Sequence, residues 1–241
     1  MTATRVASLS EHAGLPWESL MSETRYGRYA DGIESEIVSF ALRKSCESGV
    51  LLDVGCEGGR RAKLFAERGW QVTALDVDPG ALEVCKKRIS NAVCTLVQSD
   101  QQQFPVQDES IDLALCIEVG PVIHRQWAPA EFARVLKPHG YLAGVCWNRN
   151  SWRGFLYHRR PNLRISGSHP LVGYPIGYVD FRRQMIENGF HFEKELGYAW
   201  GPFRRTSNSR LVDTWAVVEK YSGLQHLIRL SPMIAFVCRK F

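Results

Sequence analysis

Short apolar runs and amphipathic stretches alternate through most of the chain. Ile33, Ile37, Phe40 and Ala41 recur at helical spacing, and the run 50–54 (VLLDV) then reads as a short buried strand that ends in glycines. A helix over 61–68 follows, with Ala62, Phe65 and Ala66 on one face and Gly69 closing it. The next strand is expected at 70–75. Asp78 is a reasonable N-cap and Pro79 sits at the first helical position, so a helix starts there with Leu82, Cys85 and Ile89 on its apolar stripe. Further strands are expected at 93–97, 111–117 and 141–146, with a helix around 130–136 stopped by Pro138 and Gly140. Strands alternating with helices at this spacing imply βαβ units and a doubly wound α/β fold on a mostly parallel sheet. From 147 to 179 the rhythm lapses, in a stretch rich in Arg, Gly, Pro and aromatics, which reads as a functional lid or a disordered segment. Regularity returns with a helix at 178–188, a strand at 191–198, a helix at 209–221 and a closing strand at 234–239.

Composition narrows the class without changing the architecture. The chain has 241 residues, 45% hydrophobic and 23% charged, enough apolar material for one large domain. No apolar run reaches the roughly 20 residues of a bilayer span, and the first 14 residues are mixed, without a hydrophobic leader. The seven cysteines are odd in number, with neither CxxC nor Cys/His ligand spacing, so reduced thiols in a cytoplasmic protein are expected, with no metal site. Charge is uneven: residues 1–146 hold 15 Lys and Arg against 19 Asp and Glu, whereas residues 147–241 hold 15 against 6. A basic second part favours an anionic partner, whether nucleic acid, a small molecule or a membrane surface.

The first βα turn, Asp53-Val-Gly55-Cys-Glu57-Gly58-Gly59, is where an α/β sheet places its ligand. A dinucleotide fingerprint needs glycine where Glu57 stands, and a carboxylate there would face a pyrophosphate. A phosphate-cradling P-loop needs Gly-Lys-Ser/Thr, which is missing from the loop. Asp76, however, follows Gly55 by 21 residues, near the spacing at which a carboxylate reaches ribose hydroxyls. A nucleoside without phosphate is therefore expected. S-adenosylmethionine fits, because its ribose suits Asp76 and its ammonium and sulfonium tolerate Asp53 and Glu57.

At this point the chain resembles the class I S-adenosylmethionine-dependent methyltransferases, especially the branch that includes the ubiquinone and menaquinone enzymes. The resemblance runs through VLLDVGCEGGR (50–60), VTALDVDPGAL (72–82), SDQQQFPVQDESIDLALCIEV (99–119) and EFARVLKPHGYLAGV (131–145). It implies a seven-stranded sheet with an antiparallel last strand and helices on both faces, and S-adenosylhomocysteine as the product left behind. By position it implies Asp53, Gly55, Glu57 and Gly59 in the cofactor loop, Asp76 on ribose and Val77 on adenine. Asp100 and Gln101 would meet the adenine amino edge, and Cys116 to Glu118 would line the floor. The main departure is Glu57, where the family most often has glycine. Tyr26 and Tyr29 are candidates for closing over the cofactor.

The resulting organisation is a single domain with four parts: an N-terminal helical cap (1–49), a cofactor-binding core (50–146), a basic substrate lid (147–179) and a C-terminal completion of the sheet with an inserted helix (180–241). His124 follows the fourth strand and is the candidate general base, although a lone histidine is more often structural. His158 and His169 in the lid are weaker candidates. In the lid, Arg149, Arg153, Arg159, Arg160 and Arg164 have no acidic neighbour in sequence, beside Trp152, Phe155 and Tyr157, which predicts an anion grip. The end of the fourth strand lacks the Asn/Asp-Pro-Pro-Tyr signature of many N-methyltransferases. A small-molecule acceptor methylated on oxygen or carbon, anionic or lipid-like, is thus the leading reading. The alternatives are an RNA methyltransferase, disfavoured because no RNA-binding module is visible, and a non-catalytic binding protein of the same fold. The oligomeric state is open, a homodimer being one option.

Overall fold

The computed structural model describes residues 17–159 and 174–241. Its centre is a seven-stranded sheet in the order β3-β2-β1-β4-β5-β7-β6. The strands are β1 (Val50–Val54), β2 (Gln71–Asp76), β3 (Val93–Leu96), β4 (Ile111–Cys116), β5 (Leu136–Trp147), β6 (Phe190–Tyr198) and β7 (Met233–Lys240). Pairing is parallel from β3 to β5, and β7 alone runs antiparallel, wedged between β5 and β6. The doubly wound sheet and its antiparallel last strand are as expected from the sequence.

Each strand sends alternate side chains to opposite faces, and two separate cores result. Leu51, Leu113, Leu115, Ala143, Ala235 and Val237 pack beneath α2 (Arg25–Lys44) and α3 (Arg60–Ala66), against Ile33, Ile37, Ala41 and Phe65. Leu52, Ala114, Cys116, Leu142, Ile234 and Phe236 face the other way, onto Phe132 and Val135 of α6 (Ala128–Val135) and Tyr178, Phe181 and Met185 of α8 (Tyr178–Glu187). Between β2 and β3 runs α4 (Pro79–Arg88), whose N-cap Asp78 accepts from the Gly80 amide.

Three local differences from the sequence reading bear on function. Pro138 and Gly140 do not simply end a helix: β5 begins at Leu136 and absorbs both, with a register irregularity between Ile111 and Leu113 on its neighbour. The stretch 147–179 is not uniformly irregular, since Trp152–Arg159 forms α7. Arg160, Arg164 and His169 lie outside the described residues. Ahead of α2, the short helix α1 (Trp17–Glu23) lies across the carboxyl ends of the strands.

Candidate active site

β1 and β4 are neighbours whose onward connections leave in opposite directions across the sheet, so a crevice opens beyond their carboxyl ends. The loop leaving β1 is shaped by its glycines. Gly55 has φ +68°, and a Cβ there would stand 2.6 Å from Val119. Gly59, φ +70°, caps α3 where a Cβ would meet the Cys85 sulfur at 2.5 Å. The amides of Gly55 and Cys56 both donate to the Leu75 carbonyl, 2.8 and 3.0 Å, which straps the loop to β2.

Glu57 lies in the left-handed region, φ 49°, and its amide donates to Asp76 Oδ2 at 2.8 Å. The Asp78 amide donates to Asp76 Oδ1 at 3.0 Å. Asp76 is thus oriented by backbone donors from both sides, and each oxygen keeps a further lone pair for a ligand hydroxyl. Burial outweighs those donors and raises its pKa. Val77, next along, is exposed, as a platform for a flat ring would be. Asp100 and Gln101 are also exposed, but the Gln101 amide nitrogen is spent on the Gln103 carbonyl at 2.6 Å.

Asp53 is the buried acid of this end, with no hydrogen bond from any described residue. Burial is the main cause that pushes its pKa up to about 7, the Cys85 thiol adding to it and Arg61 opposing. Such a carboxyl is partly neutral near pH 7, and a cation beside it would return it to the charged form. The Glu57 carboxylate turns toward α1. Its Oε1 accepts from the Glu18 amide at 3.1 Å, and Glu18 in turn pairs with Arg88 at 3.0 Å. The glycine loop is therefore tied to α1 through Glu57.

Across the crevice the chemistry changes. Cys116 is fully buried in β4, whereas Glu118, φ 62°, turns its carboxylate toward the C-terminal part of the chain. It accepts from Tyr198 Oη at 3.2 Å and pairs with Arg205 at 2.8 Å. The Arg205 guanidinium stacks between the rings of Trp17 and Trp147, 4.9 and 5.2 Å from their centroids. The single Tyr198 proton is shared with Glu34 Oε1, also at 3.2 Å, and burial raises the Glu34 pKa to about 8 despite the nearby Arg61. Trp17, Leu20, Met21, Tyr26, Ala30, Glu118 and Arg205 enclose a cavity of about 10 Å³, room for about one water. Tyr26 is buried in its wall, and burial pushes its hydroxyl up to about 12.

His124 does not face this cavity with a free nitrogen. Its Nδ1 donates to the Gly120 carbonyl at 3.1 Å and its Nε2 accepts from the Trp147 amide at 3.0 Å, so both ring nitrogens are used by backbone. Burial draws its pKa down to about 4. The histidine closes the short helix α5 (Gly120–Ile123) and ties it to the end of β5. His158 donates from Nε2 to the Tyr174 carbonyl at 2.8 Å. Among the lid arginines, Arg153 is no free anion grip: it donates to the carbonyls of Ala199, Gly201 and Phe203. Arg159 stacks on Phe155 at 4.4 Å.

The sequence reading missed Arg205, Tyr198 and Glu34. Glu34 alone left a signal, a carboxylate on the apolar face of α2 between Ile33 and Ile37.

Residues 52–144 match a family model described as a methyltransferase domain. Outside this stretch the likeness is structural. A geranyl diphosphate C-methyltransferase from Streptomyces coelicolor, solved with geranyl diphosphate and S-adenosylhomocysteine, superposes with a TM-score of 0.61 at 13% identity, over 88% of this chain and 79% of that one. The class I methyltransferase fold is thus shared along nearly the whole chain. Curated relatives include a malonyl-[acyl-carrier protein] O-methyltransferase from Serratia marcescens, 36% identical over 98 residues, 38% of this chain and 36% of that protein. A fatty-acid O-methyltransferase from Mycolicibacterium smegmatis is 33% identical over 107 residues, 43% of this chain and 39% of that protein. The chain aligns with about two fifths of the length of these relatives.

Proposed function

We propose that this chain is an S-adenosylmethionine-dependent enzyme that methylates a small-molecule acceptor on oxygen or carbon, the acceptor being anionic or lipid-like. The observation that carries the reading is the division of one crevice into two differently built ends. One presents Asp76 and the glycine loop to a nucleoside and an undonated Asp53 to a cation. The other is an aromatic wall around Glu118, Arg205 and Tyr26, closed down to the space of about one water. The O-methyltransferases of a fatty acid and of a malonyl carrier among the relatives, and the C-methyltransferase of an isoprenoid diphosphate among the structures, support the acceptor class.

S-adenosylmethionine supplies a methyl group on a sulfonium, which leaves as a neutral thioether. The protein's task is then alignment and exclusion of water. Asp76 would hold the ribose, Val77 the adenine face and Asp53 the ammonium. α1 and Trp147 wall the acceptor side from solvent. With both nitrogens of His124 occupied, the site suits an acceptor that reacts without surrendering a proton to histidine.

The test is calorimetric binding of S-adenosylhomocysteine, followed by transfer of labelled methyl from S-adenosylmethionine to fatty acids, isoprenoid diphosphates and RNA. Micromolar binding that weakens by about 1–3 kcal/mol in Asp76→Ala, with label entering a small-molecule acceptor, is expected. Absence of binding would make the chain a non-catalytic relative, and label in RNA alone would overturn the acceptor class.

A further inference from the structure

The helix inserted between β6 and β7, α9 (Leu211–Tyr221), meets the protein with Val212 and Glu219 and leaves its other side bare. At 3.6 residues per turn, Leu211, Val217, Val218 and Tyr221 fall within an arc of about 120°. All four are between 41% and 79% exposed, and Leu227 and Leu230, just beyond the helix, are 49% and 56% exposed. Four exposed apolar side chains on one arc, with two more just beyond the helix in sequence, exceed what single scattered residues explain.

The charges around it have one sign. Asp213 is paired with Arg25, and Glu219 is buried, accepting from Tyr29 Oη and from the amides of Trp200 and Gly201. Arg204, Arg210, Lys220 and Arg229 are exposed and have no carboxylate partner among the described residues. The patch is therefore apolar with a cationic margin, and a tyrosine stands at its end.

We propose that this face docks on the surface of an anionic lipid bilayer, with α9 lying in the plane of the membrane. An interfacial helix combines a shallow apolar arc with flanking Lys and Arg, and tyrosine favours the boundary between headgroups and acyl chains. A second copy of the chain fits poorly, because an isologous contact would set four cations against the same four. The inner side of α9 holds the Trp200–Gly201 backbone through Glu219, at the head of the segment that brings Arg205 to the cavity. Docking would thus place the acceptor wall beside the lipid phase. The docking surface stands on its own observations and holds whether or not the chain transfers methyl groups.

Flotation of the full chain with vesicles tests it. Vesicles of phosphatidylcholine with one quarter phosphatidylglycerol should bind at least tenfold more tightly than phosphatidylcholine alone. Half-molar salt should remove most of that difference. Val218→Glu/Tyr221→Glu, both on exposed positions, should lower binding at least tenfold with an unchanged melting temperature. Arg210→Gln/Lys220→Gln/Arg229→Gln should bring anionic vesicles down to the neutral level. The proposal is overturned by no vesicle binding, by equal binding to both compositions, or by indifference to the glutamate pair. It is also overturned if sedimentation shows a dimer that the glutamate pair dissociates, which would assign the face to a second copy.

Discussion

The two ends of the crevice are held together by different kinds of bond. At the nucleoside end the partners are near in sequence and mostly backbone: the Glu57 amide reaches Asp76 across 19 residues, and the Asp78 amide reaches the same carboxylate across two. At the acceptor end they are side chains far apart in the chain. Glu118 and Arg205 are 87 residues apart, Glu34 and Tyr198 164, Tyr29 and Glu219 190. A backbone donor survives substitution of its own residue, whereas a buried side-chain pair fails when either member is lost. The first end is thus robust to substitution and the second fragile.

The largest expected effect lies at the fragile end. Arg205→Met leaves Glu118 buried without its cation, and should lower stability by about 2–4 kcal/mol in urea unfolding. The double variant Glu118→Gln/Arg205→Met should recover much of that loss. If the double variant is no more stable than the single, the pair is not what holds this end together.

His124 gives the next effect, and it sharpens the contrast through pH. Its folded pKa of about 4 lies below the ordinary 6.5, so the unfolded chain binds the extra proton between these values. Stability should fall as pH drops from about 6.5 toward 4, by about 3 kcal/mol in all. His124→Gln should flatten this window. For the same reason kcat should show no inflection near pH 6–7 from this residue, and a rise there that disappears in His124→Gln would restore it as a base.

Glu57 bridges the two ends, and its effect is the smallest. Glu57→Gln keeps an acceptor for the Glu18 amide but loses charge beside the N-terminus of α1. A loss of about 0.5–1 kcal/mol in stability is expected, with faster proteolysis around α1. Because Glu57 also has positive φ, Glu57→Gly relieves the backbone while cutting the tie, so its stability should be nearer wild type than that of Glu57→Leu. Equal losses for glycine and leucine would detach Glu57 from the conformation of the loop.

The same division explains what could be read from the sequence. The strands at 50–54, 93–97 and 111–117, the Asp78-Pro79 helix start and the glycine loop are written in local signals: apolar runs, caps and turn residues. They appear within one or two residues of where the pattern puts them. The acceptor end was not legible. Its identity depends on which distant side chains meet, and neither Arg205 nor Tyr198 stands in any pattern that periodicity or spacing exposes. His124 drew notice as a histidine after β4, but only the Trp147 amide and the Gly120 carbonyl show that its nitrogens are taken. Arg153 likewise looks unpaired in sequence because its partners are carbonyls, which every residue has.

The position of β7 between β5 and β6 sets a sequence of events for the growing chain. β6 is made earlier but has no partner other than β7, so it cannot join the sheet until residues 233–240 have been synthesised and released from the ribosome. Until then Tyr198 has no fixed strand from which to reach Glu118 and Glu34. A nascent chain can thus pair β1 to β5 while the end of the crevice around Tyr198 waits for residues 233–240.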